Sequence, residues 1–276
     1  MKIFLTGGTG FIGKKFIHEA LKKNHVIYAV TRRKFKKKQR NLYWLKGSLD
    51  KQAWSKYLKR SDVLVHMAAA GVNSKVSLKE AKNINVTKPF KLLINALNSN
   101  CNKWLIIGSA SEYGIQAKKN KKLSNKTIEL PETIYEKTKY SFSYLCLYLS
   151  KQYNTKCRIL RLFNIYGEGE NKKRLWPSIK KAAEKNLNLK MTDGKELRDF
   201  MSVEEAAKKI LHACNFKIRN KSFPQIWHLA SGKPISVKKF ALNLWKKYNA
   251  KGKIFFGKID TKSNKNYISE KNSIWF

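Results

Sequence analysis

The chain has 276 residues, enough for one large domain or two modest ones with a sizeable core. It carries 59 Lys and Arg against 18 Asp and Glu, a formal charge of +41, but only nine of the cations are arginine. The lysines are spread along the whole chain, whereas readers of nucleic acid gather arginine at base edges and concentrate their charge on one face. A lysine-biased solvated surface is therefore expected, with sequence-indifferent, salt-sensitive binding to polyanions and no specific nucleic-acid partner. No stretch approaches the ~20 consecutive apolar residues of a membrane span. The opening MKIFLTGG has no signal-peptide layout, so a soluble, cytoplasmic protein without a membrane partner is expected. The four cysteines (Cys101, Cys146, Cys157 and Cys214) form no CxxC pair, and the five histidines show no metal-ligand spacing. Buried free thiols and no metal site are expected.

In chain order, Lys2–Thr6 reads as a buried strand and 13–24 as a helix with Phe16, Ile17, Ala20 and Leu21 on one face. Further strands are predicted over 25–31, 42–46, 63–68, 104–108 and 158–163, with helices over 81–98 and 135–153. The lysine-rich segment 116–126 reads as a mobile loop. Alternating strands and helices predict an α/β fold, a Rossmann-type doubly wound parallel sheet covered on both faces, with ligands at the carboxyl ends of its strands. The expected division is a dinucleotide-binding domain over 1–166 and a smaller C-terminal substrate lobe over 167–276, part of 200–231 packing back on the first domain.

The first strand runs into TGGTGFIG, with Gly7, Gly10 and Gly13 at equal spacing before the helix. Backbone N–H groups of Phe11, Ile12 and Gly13 at a helix start can bind an anion, and glycine permits the close approach a pyrophosphate needs. Tight strand–helix turns also occur without ligands, but this one sits in a full strand–turn–helix–strand unit.

This turn resembles that of the extended short-chain dehydrogenase/reductases, the family of NAD(P)-dependent nucleotide-sugar epimerases, dehydratases and reductases. Six further segments match in order: VLVHMAA (63–69), NVTKPFKLLINA (85–96), GSASEYG (108–114), YEKTK (135–139), RLFNIYGEG (161–169) and DGKELRDFMSVEEAA (193–207). The resemblance implies that Ala68, Ala69 and Asn85 line the cofactor. It also implies that Ser109, Tyr135 and Lys139 are catalytic, Lys139 also holding the nicotinamide ribose. Ser111, Asn164 and Arg198 are assigned to the substrate, a nucleoside-diphosphate sugar, and a homodimer is expected. For Asn164 the alternative is a turn residue; for Arg198 it is a surface ion pair with Asp199.

Tyr-x-x-x-Lys alone means little, since chance predicts about two matches in a chain of this composition. Two occur, Tyr135/Lys139 and Tyr267/Lys271. Tyr135 follows Ser109 by 26 residues at the start of a helix, where i and i+4 share a face. Tyr267 lies in a polar tail and reads as coincidence. A ketone reduction needs a proton donor, and a nearby Lys139 cation is expected to lower the Tyr135 phenol from its usual value of about 10.

The second strand ends in Thr31-Arg32-Arg33 without a carboxylate. Arginine suits a 2′-phosphate, so Arg32 and Arg33 predict NADP(H), with NAD(H) the alternative. Family 4,6-dehydratases have Asp-Glu after the catalytic threonine, whereas Ala110 and Ser111 follow Ser109 here. The cysteine and histidine of family GDP-fucose synthases correspond to Ser111 and, more loosely, Arg174. What remains suits reduction of an NDP-4-keto-6-deoxy sugar. An NAD-dependent 4-epimerase is the alternative, and a non-enzymatic nucleotide- or nucleic-acid-binding protein on the same fold a third reading.

Overall fold

A computed structural model of the chain describes residues 1–35, 39–70, 76–119, 122–218, 222–260 and 265–275. Strands β1 (Lys2–Thr6), β2 (Val26–Thr31), β3 (Leu42–Lys46), β4 (Val63–His66), β5 (Lys103–Ser109), β6 (Lys156–Leu162) and β7 (Gln225–Leu229) form one sheet. Their order is β7-β6-β5-β4-β1-β2-β3, and every pairing is parallel. The order reverses between β1 and β4, so the chain leaves these neighbours in opposite directions and a crevice opens beyond their carboxyl ends.

Both faces of the sheet are buried, as side-chain alternation requires in a covered parallel sheet. Ile3, Leu5, Val63 and Val65 pack on one side with Phe16, Ile17 and Ala20 of α1 (Phe11–Lys22). Phe4, Leu64, Trp104 and Ile106 pack on the other with α2 (Lys88–Asn98) and α3 (Ile134–Gln152). Helices α4 (Leu175–Glu184) and α6 (Val237–Lys247) share a separate apolar cluster, centred on Ile179, Phe240 and Leu244. Between them in sequence, α5 (Val203–Ala213) returns to the first face, where Ala206, Ile210 and Leu211 join the α1 cluster and Glu204 pairs with Lys15 at 2.8 Å. Strand β7 then completes the sheet beside β6.

Helix α1 starts two residues earlier than the apolar pattern suggests, because Gly10 in extended conformation serves as its N-cap. It ends before Asn24, at φ 55°. Asn100, Asn154, Asn186 and Asn249 likewise adopt positive φ just beyond α2, α3, α4 and α6. Asparagine tolerates this left-handed stop better than other residues with a Cβ. The helix expected over 81–98 is reached through Leu78–Lys82 and a widened π turn, Asn83–Thr87, which turns Asn85 inward.

The segment expected to be a mobile loop is packed over its described part. Gln116–Lys119 is a helical turn, Ala117 and Leu123 are fully buried, and the Leu123 N–H donates to the Ile268 carbonyl at 2.8 Å. Two apolar anchors outweigh the lysines around them; residues 120–121 lie outside the described residues.

The turn before α1 tolerates no side chain at its third glycine. A Cβ on Gly13 would stand 2.2 Å from the Gly7 carbonyl oxygen, a backbone atom that cannot rotate away. Gly13→Ala is expected to cost about 2 kcal/mol or more of stability, read as a fall in the midpoint of thermal unfolding. An unchanged midpoint would show that the turn can relax.

Candidate active site

Three local structures converge at the crevice. The first is the glycine turn. Gly7 sits at φ 77°, where a Cβ would come within 2.7 Å of the Ala68 backbone nitrogen. Gly10 offers no side chain to cap α1, and no acidic residue occupies the first helical turn. The N–H groups of Phe11, Ile12 and Gly13 therefore lie at an uncapped helix start, without partners within the helix.

The second is the end of β5. Ser109 has extended φ/ψ and caps a short 3₁₀ turn, Ala110–Tyr113. Its Oγ lies 2.8 Å from Ser111 Oγ and accepts the Ser111 N–H at 3.2 Å. The Ser109 N–H donates to Glu112 Oε1 at 2.7 Å.

The third is the start of α3. Thr133 and Glu136 form a reciprocal capping box, the Glu136 N–H donating to Thr133 Oγ1 at 3.2 Å and the Thr133 N–H to Glu136 Oε2 at 3.1 Å. Lys265 adds bonds of 2.9 Å to Glu136 and 2.8 Å to Glu132. This fixed start sets Tyr135 in the first turn and Lys139 one turn on. Lys139 is 4% exposed, and its ammonium donates to the Ile107 carbonyl at 2.6 Å.

The three meet around a cavity of about 520 Å³, into which Gly7, Gly10, Phe11, Ile12 and Gly13 project from one wall. Ser109, Ser111, Tyr135 and Lys139 form another wall, with Met67 and Ala69 between. Asn164 and Arg198 close the far end. A second cavity of about 500 Å³ lies between α4, α6 and the chain after α6, and shares Arg174 and Arg198 with the first. The Nδ2 of Asn164 and the Nε of Arg198 are buried without a hydrogen-bond partner. Arg198 is not paired with Asp199, whose carboxylate instead accepts the Ser231 N–H and hydroxyl and the Gly232 N–H.

Several expected residues stand elsewhere. Asn85 does not reach the cavity: Oδ1 accepts the Ala70 N–H at 2.8 Å, while Nδ2 donates to the Ala70 carbonyl and to Thr138, both at 3.0 Å. It holds the chain after β4 against α3. Ala68 backs Gly7 rather than lining the cavity. Arg32 and Arg33 are exposed beyond β2, outside the cavity walls. Conversely, Tyr267, read as coincidence in a polar tail, lines the cavity, because its backbone pairs with that of Arg198. Glu170 and Arg174 also line it, joined by a 3.0 Å ion pair. Glu170 was not foreseen, and burial pushes its carboxyl above the usual range while Arg174 opposes the rise.

The electrostatics differ from the expectation. Burial, and next the Glu112 charge, push the Tyr135 phenol up to about 12, against a hydrogen bond with Ser109 and the Arg174 charge, which pull the other way. Lys139 is turned to Ile107, and burial lowers its own ammonium against the pull of Glu112. Desolvation thus outweighs the lysine effect that the sequence suggested.

Glycine turn, unpartnered amides and cavity fit a dinucleotide: the amides suit its pyrophosphate, and the Ser–Tyr–Lys wall lies beyond them where the strand order reverses. Fold and site together define the class of Rossmann-type nicotinamide-dependent enzymes. The chain belongs to the NAD dependent epimerase/dehydratase family, whose profile matches residues 3–227. It is 25% identical over 280 residues to CDP-abequose synthase of Salmonella typhimurium, covering 98% of this chain and 89% of that protein. Its fold matches UDP-N-acetylglucosamine 4-epimerase from Methanobrevibacter ruminantium in complex with UDP-N-acetylmuramic acid, with a TM-score of 0.85 at 21% identity over 98% of this chain and 90% of that one. It also matches UDP-glucuronic acid 4-epimerase from Bacillus cereus in complex with UDP-glucuronic acid and NAD, with a TM-score of 0.83 at 20% identity over 99% and 91%.

Two buried histidines flank the site. Burial, aided by the Lys139 charge, lowers His66 to about 3; burial, aided by Arg161, lowers His228 to about 3. The unfolded chain protonates its histidines near 6.5, before the folded one does. This contribution to stability is therefore complete above about pH 6.5 and is lost as pH falls toward 3, by about 1.4 kcal/mol per unit for each histidine. Urea unfolding across that range should show the loss, and His66→Gln should flatten its slope by about one proton. An identical slope in the variant would contradict the assignment.

Proposed function

We propose that the protein reduces a nucleoside-diphosphate 4-keto-6-deoxy sugar with NADPH. The observation that carries this reading is the Ser109–Tyr135–Lys139 wall facing two buried donors, Asn164 Nδ2 and Arg198 Nε, that lack protein partners. Leaving such donors unpaired costs about 1–3 kcal/mol each, a cost that ligand oxygens would remove. Arg174 and Arg198, shared by both cavities, suit a diphosphate at the junction. Sugar would then lie toward Tyr135, and nucleotide in the second cavity. The CDP-abequose synthase relative and the structural neighbours with UDP-sugars support this substrate class.

A nicotinamide dinucleotide held by its pyrophosphate at the glycine cradle would supply hydride. Ser109 would hydrogen-bond the substrate carbonyl oxygen and fix its place. Tyr135 would give that oxygen its proton. Lys139 would turn from the Ile107 carbonyl toward the ribose. Arg32 and Arg33, exposed at the β2 end, are free to reach a 2′-phosphate. Ala110 and Ser111 supply no acid and base for elimination. A 4-epimerase is the second reading, favoured by the neighbours named as epimerases.

Incubation in heavy water with NADPH and a panel of NDP-4-keto-6-deoxy sugars should give net reduction, followed by NMR and mass, without deuterium at C3 or C5. Glu170 is the cavity carboxyl through which such exchange would run, so deuterium there would replace simple reduction with reduction plus epimerisation. Turnover of an ordinary UDP-hexose with no net loss of NADPH would establish the epimerase instead.

Cofactor choice is separately testable. Fluorescence titration should give tighter binding of NADPH than NADH, and Arg32→Asp should reverse the order. Tighter NADH binding by the unaltered protein would remove the NADP assignment.

A further inference from the structure

Behind the catalytic wall lies a charge cluster that the proposed reaction does not use directly. Glu112 is fully buried, two residues past Ala110 in the 3₁₀ turn. One carboxylate oxygen accepts the Ser109 N–H at 2.7 Å; the other accepts Arg161 Nε at 3.2 Å. Arg161, on β6 and 1% exposed, also donates from Nη2 to Glu129. Its guanidinium lies over the Tyr113 ring at 4.5 Å, and the Tyr113 hydroxyl is 2.6 Å from His228 Nε2. Tyr113 is held protonated and His228 neutral by burial, so neither adds charge.

The balance of this cluster is two carboxylates against one guanidinium. We propose that Glu112 is a positioning residue: clamped behind β5 by Arg161, which is itself paired with Glu129, its carboxylate fixes the Ser109 backbone and presents a negative charge to Tyr135 and Lys139. This rests on the reductase reading only in giving the Tyr135 phenol the role of proton donor.

The geometry serves both halves of the role. A buried carboxylate accepting the Ser109 N–H fixes the residue whose hydroxyl must meet the substrate oxygen, and its own rotamer is fixed by Arg161. The charges acting on Tyr135 are Glu112 from the turn after β5 and Arg174 from the segment entering α4; Lys139, one turn on in α3, is the nearby cation of the same helix. Lys139 is turned toward Ile107, and Arg174 is paired with Glu170. After burial, the Glu112 charge raises the Tyr135 phenol and supports the Lys139 ammonium: it opposes phenolate formation on the one and favours the charged form of the other. An apolar residue at 112 would leave Arg161 buried with one partner fewer and the Ser109 N–H without its acceptor.

The test uses Glu112→Gln and Glu129→Gln. The amide oxygen of the first can still accept the Ser109 N–H, while its NH2 group cannot accept from Arg161, so the charge and the Arg161 bond are removed together and Glu129→Gln serves as the control that leaves both Glu112 bonds in place. The second removes one charge from a side chain 21% exposed and touches neither Ser109 nor Tyr135. Ionisation of Tyr135 is followed by ultraviolet phenolate absorbance in the complex with NADP⁺ or NAD⁺, whichever binds, each protein being measured against its own Tyr135→Phe background. The midpoint should fall by about 1 unit in Glu112→Gln and by less in Glu129→Gln, with circular dichroism unchanged. Where a reductive assay is available, the alkaline limb of its pH profile should move the same way. If Glu112→Gln does not fold, Glu129→Gln decides. An unmoved midpoint in the folded variants would overturn the proposal, since a purely structural residue would alter stability and leave the titration in place. The titration needs no sugar substrate, so failure of the reductase reading and failure of this one are told apart.

Discussion

Two arginines buried in β6, the strand next to the sheet edge, dictate much of what surrounds them. Arg158 and Arg161 of β6 are 0% and 1% exposed, and a guanidinium without partners at such depth would be prohibitively costly. Among the described residues Arg158 meets backbone carbonyls, an amide oxygen and aromatic rings. It donates to the carbonyls of Ala213 at 2.6 Å and Ile218 at 2.9 Å and to Gln225 at 3.0 Å, and lies 4.3 Å from the Trp275 ring centre. These carbonyls belong to the end of α5 and the chain just after it, where the helix dipole is negative. One buried cation thus draws α5, β7 and the C-terminal segment onto the sheet. Arg161 does the reverse on the side of the cavity, drawing Glu112 and Glu129 under the turn that carries Ser109.

The same logic explains how a late segment of chain reaches an early site. Asp199 is fully buried and spends its carboxylate on Ser231 and Gly232, pinning the chain after β7. Its N–H donates to the Tyr267 carbonyl at 2.9 Å. His228 of β7 holds Ser269 at 2.7 Å, and Lys265 bridges Glu132 and Glu136 before and within α3. The C-terminal segment is therefore bonded to the start of α3 and to the neighbour of Arg198 at once. This places Tyr267 in the cavity.

Burial, more than any single charge, governs the titrating groups. It raises the Tyr135 phenol, lowers the Lys139 ammonium and holds His66 and His228 neutral. The four cysteines are buried as free thiols, and burial raises all four. Among the described residues no cluster of His, Cys, Asp and Glu could hold a metal, and no helix is long and apolar enough to cross a membrane.

The sequence by itself determined the alternation of strands and helices, the glycine turn and the placement of Tyr135 and Lys139 on one helix face. These are local matters: strand and helix periods, the φ range open to glycine, and i to i+4 spacing all act within a few residues. Even Ser109, 26 residues from Tyr135, was legible, because it ends the strand beside which that helix runs. Only the tertiary structure decided the rest. Asn85 carried the right motif but turned to Ala70 and Thr138, since a widened helical turn, invisible in apolar spacing, aims it there. Lys265 has no local mark among so many lysines, and its role exists only because packing brings it to Glu132 and Glu136. Glu112 and Arg161 lie 49 residues apart and Tyr113 and His228 lie 115 apart, so no periodicity links them. The phenol's upward shift depends on water excluded by all these segments together, and desolvation is a property of the folded volume around a group rather than of its neighbours in sequence.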